Sequence, residues 1–453
     1  MDNTFFTNLE ASIPRNGVRT RFAPSPTGYM HVGGLRTALY AYLLAKRNGG
    51  TFILRIEDTD MARYVEGATE VIIKTLLESG LIYDEGPDVG GPAGPYTQSE
   101  RKEIYKHYAD LLVEKGAAYH DEGAIRMRMP TEGTTTVHDM IFGEITVQND
   151  TLDDMVLLKS DGMPTYNFAN VVDDHLMGIT HVMRGDEYLA SAPKYNLLYE
   201  AFGWEIPQYV TVSQIMRDAQ HKFSKRHGDP TYDDLLQRGY LKEAVLNYVA
   251  LLGWSPGGER EIFTLPELVE VFDISGISKS GAIFDHDKLK HFNSEYIKAM
   301  TPEAFAELAR PYIDQAVKTA DISRTAIAEI LQPRCEVLSD IPEKIGFFNQ
   351  LPNYSTELYV HKKSKTDEQV SLDMLKAVLT PLETIVWTTD AMSSALTDLA
   401  TELGVKNATV MWPLRIAVSG QTVTPGGAVE LCWILGRDET LRRIRLGIAM
   451  LER

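Results

Sequence analysis

Two short stretches hold the residues best suited to handling phosphate. In "RFAPSPTGYMHVGG" (21–34), His31 precedes Gly33 and Gly34, and two prolines, a serine and a threonine crowd the turn before it. In "HKFSKRHGD" (221–229), Lys222, Lys225 and Arg226 surround Ser224, and Gly228 follows. The first suits an anion if a helix starts there. A helix N-terminus offers unpaired N–H groups and the positive end of the macrodipole. Glycines let a phosphate approach the backbone, and His31 can add a hydrogen bond. The second offers cations that could close over phosphates and stabilise charge on a leaving group. Taken singly, each also reads as ordinary surface: a stiff Pro/Gly loop and a solvated basic loop.

The elements around the first stretch decide whether it can work. "GVRTRFA" alternates Val18, Thr20 and Phe22 with polar residues, a period of two that predicts a strand. Leu35, Ala38, Leu39, Tyr42 and Leu43 recur at helical spacing, and Asn48-Gly49-Gly50 supplies the stop. The junction therefore joins a strand to a helix. "TFILRI" (51–56) reads as a buried strand running into the acidic "EDTD" (57–60), and "EGATEVIIKTLLESGL" follows as a helix. This βαβα order implies a parallel sheet, with ligands beyond the carboxyl ends of its strands. His31 and the acidic cluster should face one crevice.

Composition bounds the rest. The chain has 453 residues, 44% of them hydrophobic and 24% charged, which is ordinary for a globular protein of several domains. No apolar run approaches the ~18 residues of a membrane span, and "MDNTFFTNLEASIP" lacks the apolar region of a signal peptide. Cys335 and Cys432 are the two cysteines, which fits a reducing cytosol and excludes a cysteine-cluster metal site. A net charge of −18 argues against wholesale coating by nucleic acid. It leaves room for a local basic groove, because salt screens charge over ~8–10 Å.

Further along, "DEGPDVGGPAGPY" (84–96) is a long loop, and "TQSERKEIYKHYADLLVEKG" opens with a capping-box pattern, Thr97 and Glu100, before a helix. Residues 124–160 are strand-like and rich in turns, and 163–189 show an alternating, strand-like pattern. "YVTVSQIM" (209–216) reads as another strand, and helices dominate from about residue 231.

These motifs, in this order, resemble the class I aminoacyl-tRNA synthetases, and specifically the bacterial-type glutamyl-tRNA synthetases. "HVGG" (31–34) is similar to the family's His-Ile-Gly-His signature and "KFSKR" (222–226) to its Lys-Met-Ser-Lys-Ser signature. "LRIEDTD", "YTQSERKEIY", "PTYNFANVVDDHLMGITHVMRGDEYLAS", "GWSP", "FDHDKLKHFNSEYI" and "LGRDETLRRIR" extend the likeness over nearly the whole chain. The implied fold is α/β: a Rossmann-type parallel-sheet catalytic domain with an inserted acceptor-end domain, followed by α-helical stem-contact and anticodon-binding domains. The expected segments are 1–98 and 167–238 for the two catalytic halves, 99–166 for the insertion, 239–318 for stem contact and 319–453 for the anticodon. Three departures stand out. The insertion is short and without zinc-binding cysteines, so zinc is not expected. Tyr188 and His291 replace family tryptophans, and the first change bears on adenosine packing.

The resemblance implies an ATP-dependent, AMP-forming ligase whose substrates are L-glutamate, ATP with Mg2+, and tRNA(Glu). It implies a cytoplasmic monomer that uses no membrane. Glutamate carries two carboxylates and one ammonium, so its pocket needs cationic and anionic anchors. Arg21 is expected on the side-chain carboxylate, Arg184 near the α-carboxylate and Glu57 on the ammonium. Ser25, Tyr166 and Asn170 are expected as neutral partners, and Ala23 where backbone passes the ligand. His31, Gly33, Gly34, Lys222, Ser224 and Lys225 are expected at ATP, with His31, Lys222 and Lys225 carrying the catalytic phosphate contacts. Asp58 and Asp60 are as well suited to capping as to magnesium. Lys288, Arg437, Arg442 and Arg443, with Lys362, Lys363, Lys365 and Arg445, are candidate tRNA contacts.

Three other readings compete. A relative that glutamylates a modified tRNA base would lack the helical C-terminal third. A small-molecule nucleotidyltransferase would not need "RFAPSPTG", the insertion or that third. A non-catalytic tRNA-binding module would not need His31, Lys222 and Lys225 together with Arg21, Glu57 and Arg184. Charging of tRNA(Gln) as well as tRNA(Glu) stays open.

Overall fold

A computed structural model describes residues 3–60, 63–223 and 228–453. Ser224 and Lys225 of the basic loop lie outside the described residues. The strands are β1 (Arg19–Phe22), β2 (Thr51–Leu54), β3 (Ala118–Asp121), β4 (Ala124–Met127), β5 (Thr134–Asp139), β6 (Gly143–Gln148), β7 (Met155–Leu158), β8 (His181–Gly185), β9 (Gln208–Val212), β10 (Ile215–Met216) and β11 (Ala282–Ile283). The chain divides into two compact units, 1–237 with 241–292, and 238–240 with 293–453.

The first unit is built on a six-stranded sheet of order β2-β1-β8-β9-β5-β6. Its first four strands pair in parallel, β5 joins β9 through Asp139 and Tyr209, and β5 and β6 form an antiparallel hairpin. A separate antiparallel sheet, β3-β4-β7, comes from residues 118–158. Strand β1 is central and buried on both faces. Its polar side chains are satisfied inside: Thr20 Oγ1 donates to Ala41 O at 2.7 Å, and Arg19 pairs with Glu85 at 2.8 Å. The helix Val32–Arg47 packs on this strand through Leu35, Ala38, Leu39 and Leu43, all fully buried. Gly50 returns the chain to β2 where no side chain fits, since a Cβ there would lie 2.0 Å from Val18 O.

Two local expectations are corrected. Thr97 and Glu100 form no side-chain cap. A 3-10 turn, Gln98–Arg101, precedes the helix Lys102–Glu114, and the Ser99 N–H donates to Asp58 Oδ1 at 2.8 Å. Gln98 and Arg101 turn inward to Asp173, and that tertiary demand overrides the local cap. Within 163–189, residues Tyr166–Leu176 form a helix, not a strand. It is buried from Phe168 through Asp174, so no solvent-facing stripe marks its period, and its polar residues point into the protein.

The second unit is helical throughout, including Pro302–Ala316, Glu368–Thr384, Asn407–Ser419 and Arg437–Leu451. Cys335 and Cys432 are both buried and unpaired.

Candidate active site

A cleft of about 570 Å³ opens beyond the carboxyl ends of β1 and β8. Its wall contains Arg21, Ala23 and Ser25 from β1 and the turn after it, and His31, Gly33 and Gly34 from the start of the next helix. Glu57, Tyr166, Arg184 and Lys222 complete the set that the structure brings together. Asn170 is not in this wall. It is buried, and its amide nitrogen donates to Tyr166 O at 2.8 Å within its own helix.

His31 sits at the N-cap of helix Val32–Arg47 in extended conformation, and its Nδ1 accepts the Gly34 N–H at 3.1 Å. The ring proton therefore lies on Nε2, which is the group left to donate. The crowded cleft mouth holds this imidazole below its usual pKa, with Arg36 adding to the effect and Glu187 opposing it, though the outer edge is exposed. Gly33 is small for a packing reason. A Cβ there would lie 3.0 Å from the His31 ring.

Lys222 is exposed, its backbone paired with Met216. Phe223 beside it stacks on Phe284 at 4.6 Å, and its N–H donates to Ile215 O at 3.0 Å. Phe223 is thus anchored on an aromatic neighbour next to Lys222.

The charged residues of the pocket are arranged as a chain of alternating sign. Arg21 is 4% exposed and donates from Nε and Nη2 to Asp174 at 2.9 and 3.1 Å, and from Nη1 to Met183 O at 3.1 Å. Asp174 also accepts from Arg55 Nη1 at 2.7 Å, and Arg55 Nη2 donates to Glu57 Oε1 at 2.8 Å. The other oxygen of Glu57, Oε2, is buried with no hydrogen-bond partner. Burial pushes this carboxyl up to about 7 despite the pull of Arg55 and Arg21. Asp174 is held the other way, lowered by both arginines against the effect of burial.

Arg184 differs from Arg21. It is 7% exposed, and its guanidinium lies 4.6 Å from the Tyr195 ring centre, 4.7 Å from Tyr209 and 5.9 Å from Tyr188. It makes no ion pair with a carboxylate among the described residues. Tyr166 stacks on Tyr188 at 5.4 Å, so the tyrosine that departs from the family pattern helps to form this wall.

Sequence reasoning missed Arg55, Asp173 and Asp174. The available signal was an adjacent acidic pair inside the apolar run "VVDDHL". Its partners lie far away in the chain, so nothing local marks them.

The candidate tRNA contacts separate on inspection. Arg443 is 1% exposed and donates to Glu439, Phe347 O and Val418 O, so it is committed to the interior and cannot reach a phosphate. Arg437 donates to Ile385 O and lies over Trp387 at 5.5 Å. Arg442 is exposed and paired with Glu439, and half-buried Lys288 is paired with Glu261 at 2.6 Å.

The family description "tRNA synthetases class I (E and Q), catalytic domain" matches residues 17–124 and 122–291, and "Anticodon binding domain" matches 304–448. A protein of Clostridium botulinum (strain Hall) named "Glutamate--tRNA ligase" is 53% identical over 481 residues, covering 96% of this chain and 99% of its own length. A protein of the same name from Clostridium acetobutylicum is 52% identical, covering 97% and 99%. Among solved structures, a glutamate tRNA ligase from Elizabethkingia meningosepticum in complex with its amino acid superposes with a TM-score of 0.87 at 34% identity, covering 96% of this chain and 100% of its own. The chain belongs to the class I tRNA synthetases of the glutamate and glutamine group.

Proposed function

We infer that this chain is a glutamate–tRNA ligase. It activates L-glutamate with ATP and transfers it to the terminal adenosine of tRNA(Glu). The observation that carries this reading is a single cleft with two open charges of opposite sign. Among the described residues, Arg184 is a buried cation without a carboxylate partner, and Glu57 Oε2 is a buried acceptor without a donor. A substrate bearing both a carboxylate and an ammonium satisfies both. The helix N-terminus beside them suits the phosphates of ATP.

The chemistry needs no protein nucleophile. An α-carboxylate oxygen of glutamate attacks the α-phosphorus of ATP, forming glutamyl-AMP and releasing pyrophosphate. The terminal ribose hydroxyl of the tRNA then attacks the activated carbonyl, and AMP leaves. The protein orients the reactants and stabilises charge. His31 Nε2–H and the amines of Lys222 and Lys225 are the proposed phosphate contacts, with Gly34 and Ser224 beside them. Arg21, Ala23, Ser25 and Tyr166 form the amino-acid wall.

Magnesium would accompany ATP and would supply charge neutralisation at its phosphates. Among the described residues no cluster of three or more His, Cys, Asp or Glu could hold a metal. The cleft carboxylates are Glu57, tied to Arg55, and Glu187, so no protein ligand is assigned. The anticodon-binding region supports tRNA as a partner. Within it we assign contact to Arg442 and to Arg437, and keep Lys288 in the first unit as a further candidate. No described helix is long and apolar enough to cross a membrane. We place the enzyme in the cytoplasm as a single chain, its finer segments being 1–98, 99–166, 167–238, 239–318 and 319–453.

The test is charging of purified tRNA(Glu) and tRNA(Gln), side by side, with labelled glutamate. ATP–pyrophosphate exchange is measured with and without tRNA. Glutamate should be attached to tRNA(Glu), and exchange should depend on tRNA. No transfer to either tRNA overturns the reading. Transfer to both identifies a non-discriminating enzyme.

A further inference from the structure

Four side chains from three separate segments form one line: Arg21, Asp174, Arg55 and Glu57. Both ends of the line face the cleft, and the two middle members do not line it. Arg55 is fully buried and bridges the middle to one end: Nη1 on Asp174 at 2.7 Å, Nη2 on Glu57 at 2.8 Å. Asp174 in turn grips Arg21 through two hydrogen bonds. The charges of the line sum to zero when Glu57 is ionised. Burial on this scale is not needed to stabilise a fold, since an apolar cluster of equal volume does as well or better. A buried guanidinium that orients a carboxylate by one oxygen, and leaves its second oxygen bare toward a cleft, fixes the direction of an acceptor.

We propose that Asp174 and Arg55 are positioning residues for the amino-acid substrate, setting the orientation and charge of Glu57 and the orientation of Arg21 from behind the pocket wall. The inference rests on the glutamate–tRNA ligase reading. Arg55 holds Oε1 of Glu57, so Oε2 is presented to the substrate ammonium. Asp174 shares Arg55 with Glu57 and so sets how much of its positive charge Glu57 feels. It also turns the Arg21 fork so that part of it remains available to the cleft.

This arrangement makes a signed prediction about ionisation. Glu57 is faced by Arg55 from its own segment, by Arg21 from β1, and by Asp174 and Tyr166 from helix Tyr166–Leu176, while Asp173 lies 3.7 Å from Arg55 Nε. Tyr188 and Tyr195 approach from the segment after β8. Removing the Asp174 charge removes a repulsion and frees Arg55, so the Glu57 carboxyl becomes more acidic. Replacing Arg55 by lysine keeps one charge but loses the fork that spans Glu57 and Asp174, so the carboxyl becomes less acidic.

The experiment measures tRNA(Glu) charging by full-length protein, with kcat and KM for glutamate across pH 5.5–8.5 at saturating ATP and tRNA. Asp174→Asn should raise KM for glutamate by about tenfold or more, the scale expected when one partner of a buried charged contact is removed, while changing KM for ATP little. The acid limb of kcat/KM, which reports groups of the free enzyme, should move to lower pH. Arg55→Lys should also raise KM, and should move that limb to higher pH. Thermal melting of each variant accompanies the kinetics. If Asp174→Asn does not fold, Arg55→Lys decides by the direction of its shift. Variants that melt lower yet keep the wild-type acid limb and glutamate KM would overturn the proposal, since a structural role predicts only lost stability. A wild-type enzyme that fails to charge tRNA with glutamate would instead overturn the function on which it rests.

Discussion

Nδ1 of His31 accepts the backbone N–H of Gly34 at 3.1 Å. The histidine at this junction is therefore a helix cap and a donor at once. One ring nitrogen closes the helix, which leaves the other for a phosphate. The two roles separate by mutation. His31→Ala should lose both the cap, at a cost of about 1 kcal/mol, and the catalytic contact. His31→Asn can cap through its side-chain oxygen, so it should melt close to wild type while adenylation stays slow. Equal recovery of rate and stability in His31→Asn would remove the ring from the phosphate site. Gly33→Ala should also slow adenylation, because its Cβ would lie 3.0 Å from the ring and push it aside.

The pH dependence follows from Glu57. Burial raises its carboxyl to about 7 in the free protein. Below that pH it is neutral and offers an incoming ammonium no counter-charge, so kcat/KM for glutamate should fall as pH drops through 7, approaching tenfold per unit. The sign for stability is opposite to the usual carboxylate case. The folded pKa lies above the ordinary glutamate value of 4.5, so Glu57 favours the empty fold at low pH, and that contribution is lost as pH rises from 4.5 through about 7. Glutamate binding should offset the loss, giving a larger ligand-induced rise in Tm at pH 8 than at pH 6. Glu57→Gln should abolish both dependences.

Amino-acid choice separates the two arginines. Arg21 already has Asp174 as a partner, so a neutral amide in place of the substrate carboxylate would not leave it bare. Arg184 has tyrosine rings around it and no carboxylate paired with it among the described residues. Arg184→Gln should keep the fold and raise KM for glutamate and glutamine alike, because both carry the α-carboxylate expected beside it. Arg21→Gln should destabilise by roughly 3–5 kcal/mol, because it leaves part of a buried pair behind, as well as weakening charging. Measuring kcat/KM for both amino acids, with denaturation curves, tests the assignment. A reduced preference for glutamate in Arg184→Gln would move the side-chain carboxylate from Arg21 to Arg184.

The basic loop is expected to act on the transition state. Lys225→Ala should lower single-turnover adenylation by about two to three orders of magnitude, the usual cost of removing one such contact. Glutamate KM should change little. A mutant rate equal to wild type would make the loop a surface.

In the second unit, neighbours in sequence should behave differently. Arg443→Ala removes a buried cation from Glu439 and two carbonyls and should cost about 3–5 kcal/mol. Exposed Arg442→Ala should cost at most about 1 kcal/mol and act on KM for tRNA instead. Chemical denaturation together with charging kinetics resolves the two.

The sequence by itself determined the strand–turn–helix around His31, because apolar spacing and Pro/Gly punctuation act within a few residues. It determined the ordered set of motifs, and with them the cleft wall from Arg21, Ser25, Glu57, Tyr166 and Arg184. The tertiary structure decided how the charges pair. Arg21 and Asp174 are 153 residues apart, and Arg55 and Asp174 are 119 apart. No local period links them, so Arg21 read as an open anchor when it is half of a pair. The same distance effect hid the helix at Tyr166–Leu176, whose Asp173 and Asp174 face buried arginines instead of water. It also dissolved the cap at Thr97, since Gln98 and Arg101 bind Asp173. Arg443 looked like its neighbour Arg442 in a basic run, and only the packing of helix Arg437–Leu451 turned one inward and left the other in solvent. Local spacing fixes which elements form. Which charges remain available for a substrate depends on partners that only the folded chain brings within hydrogen-bond range.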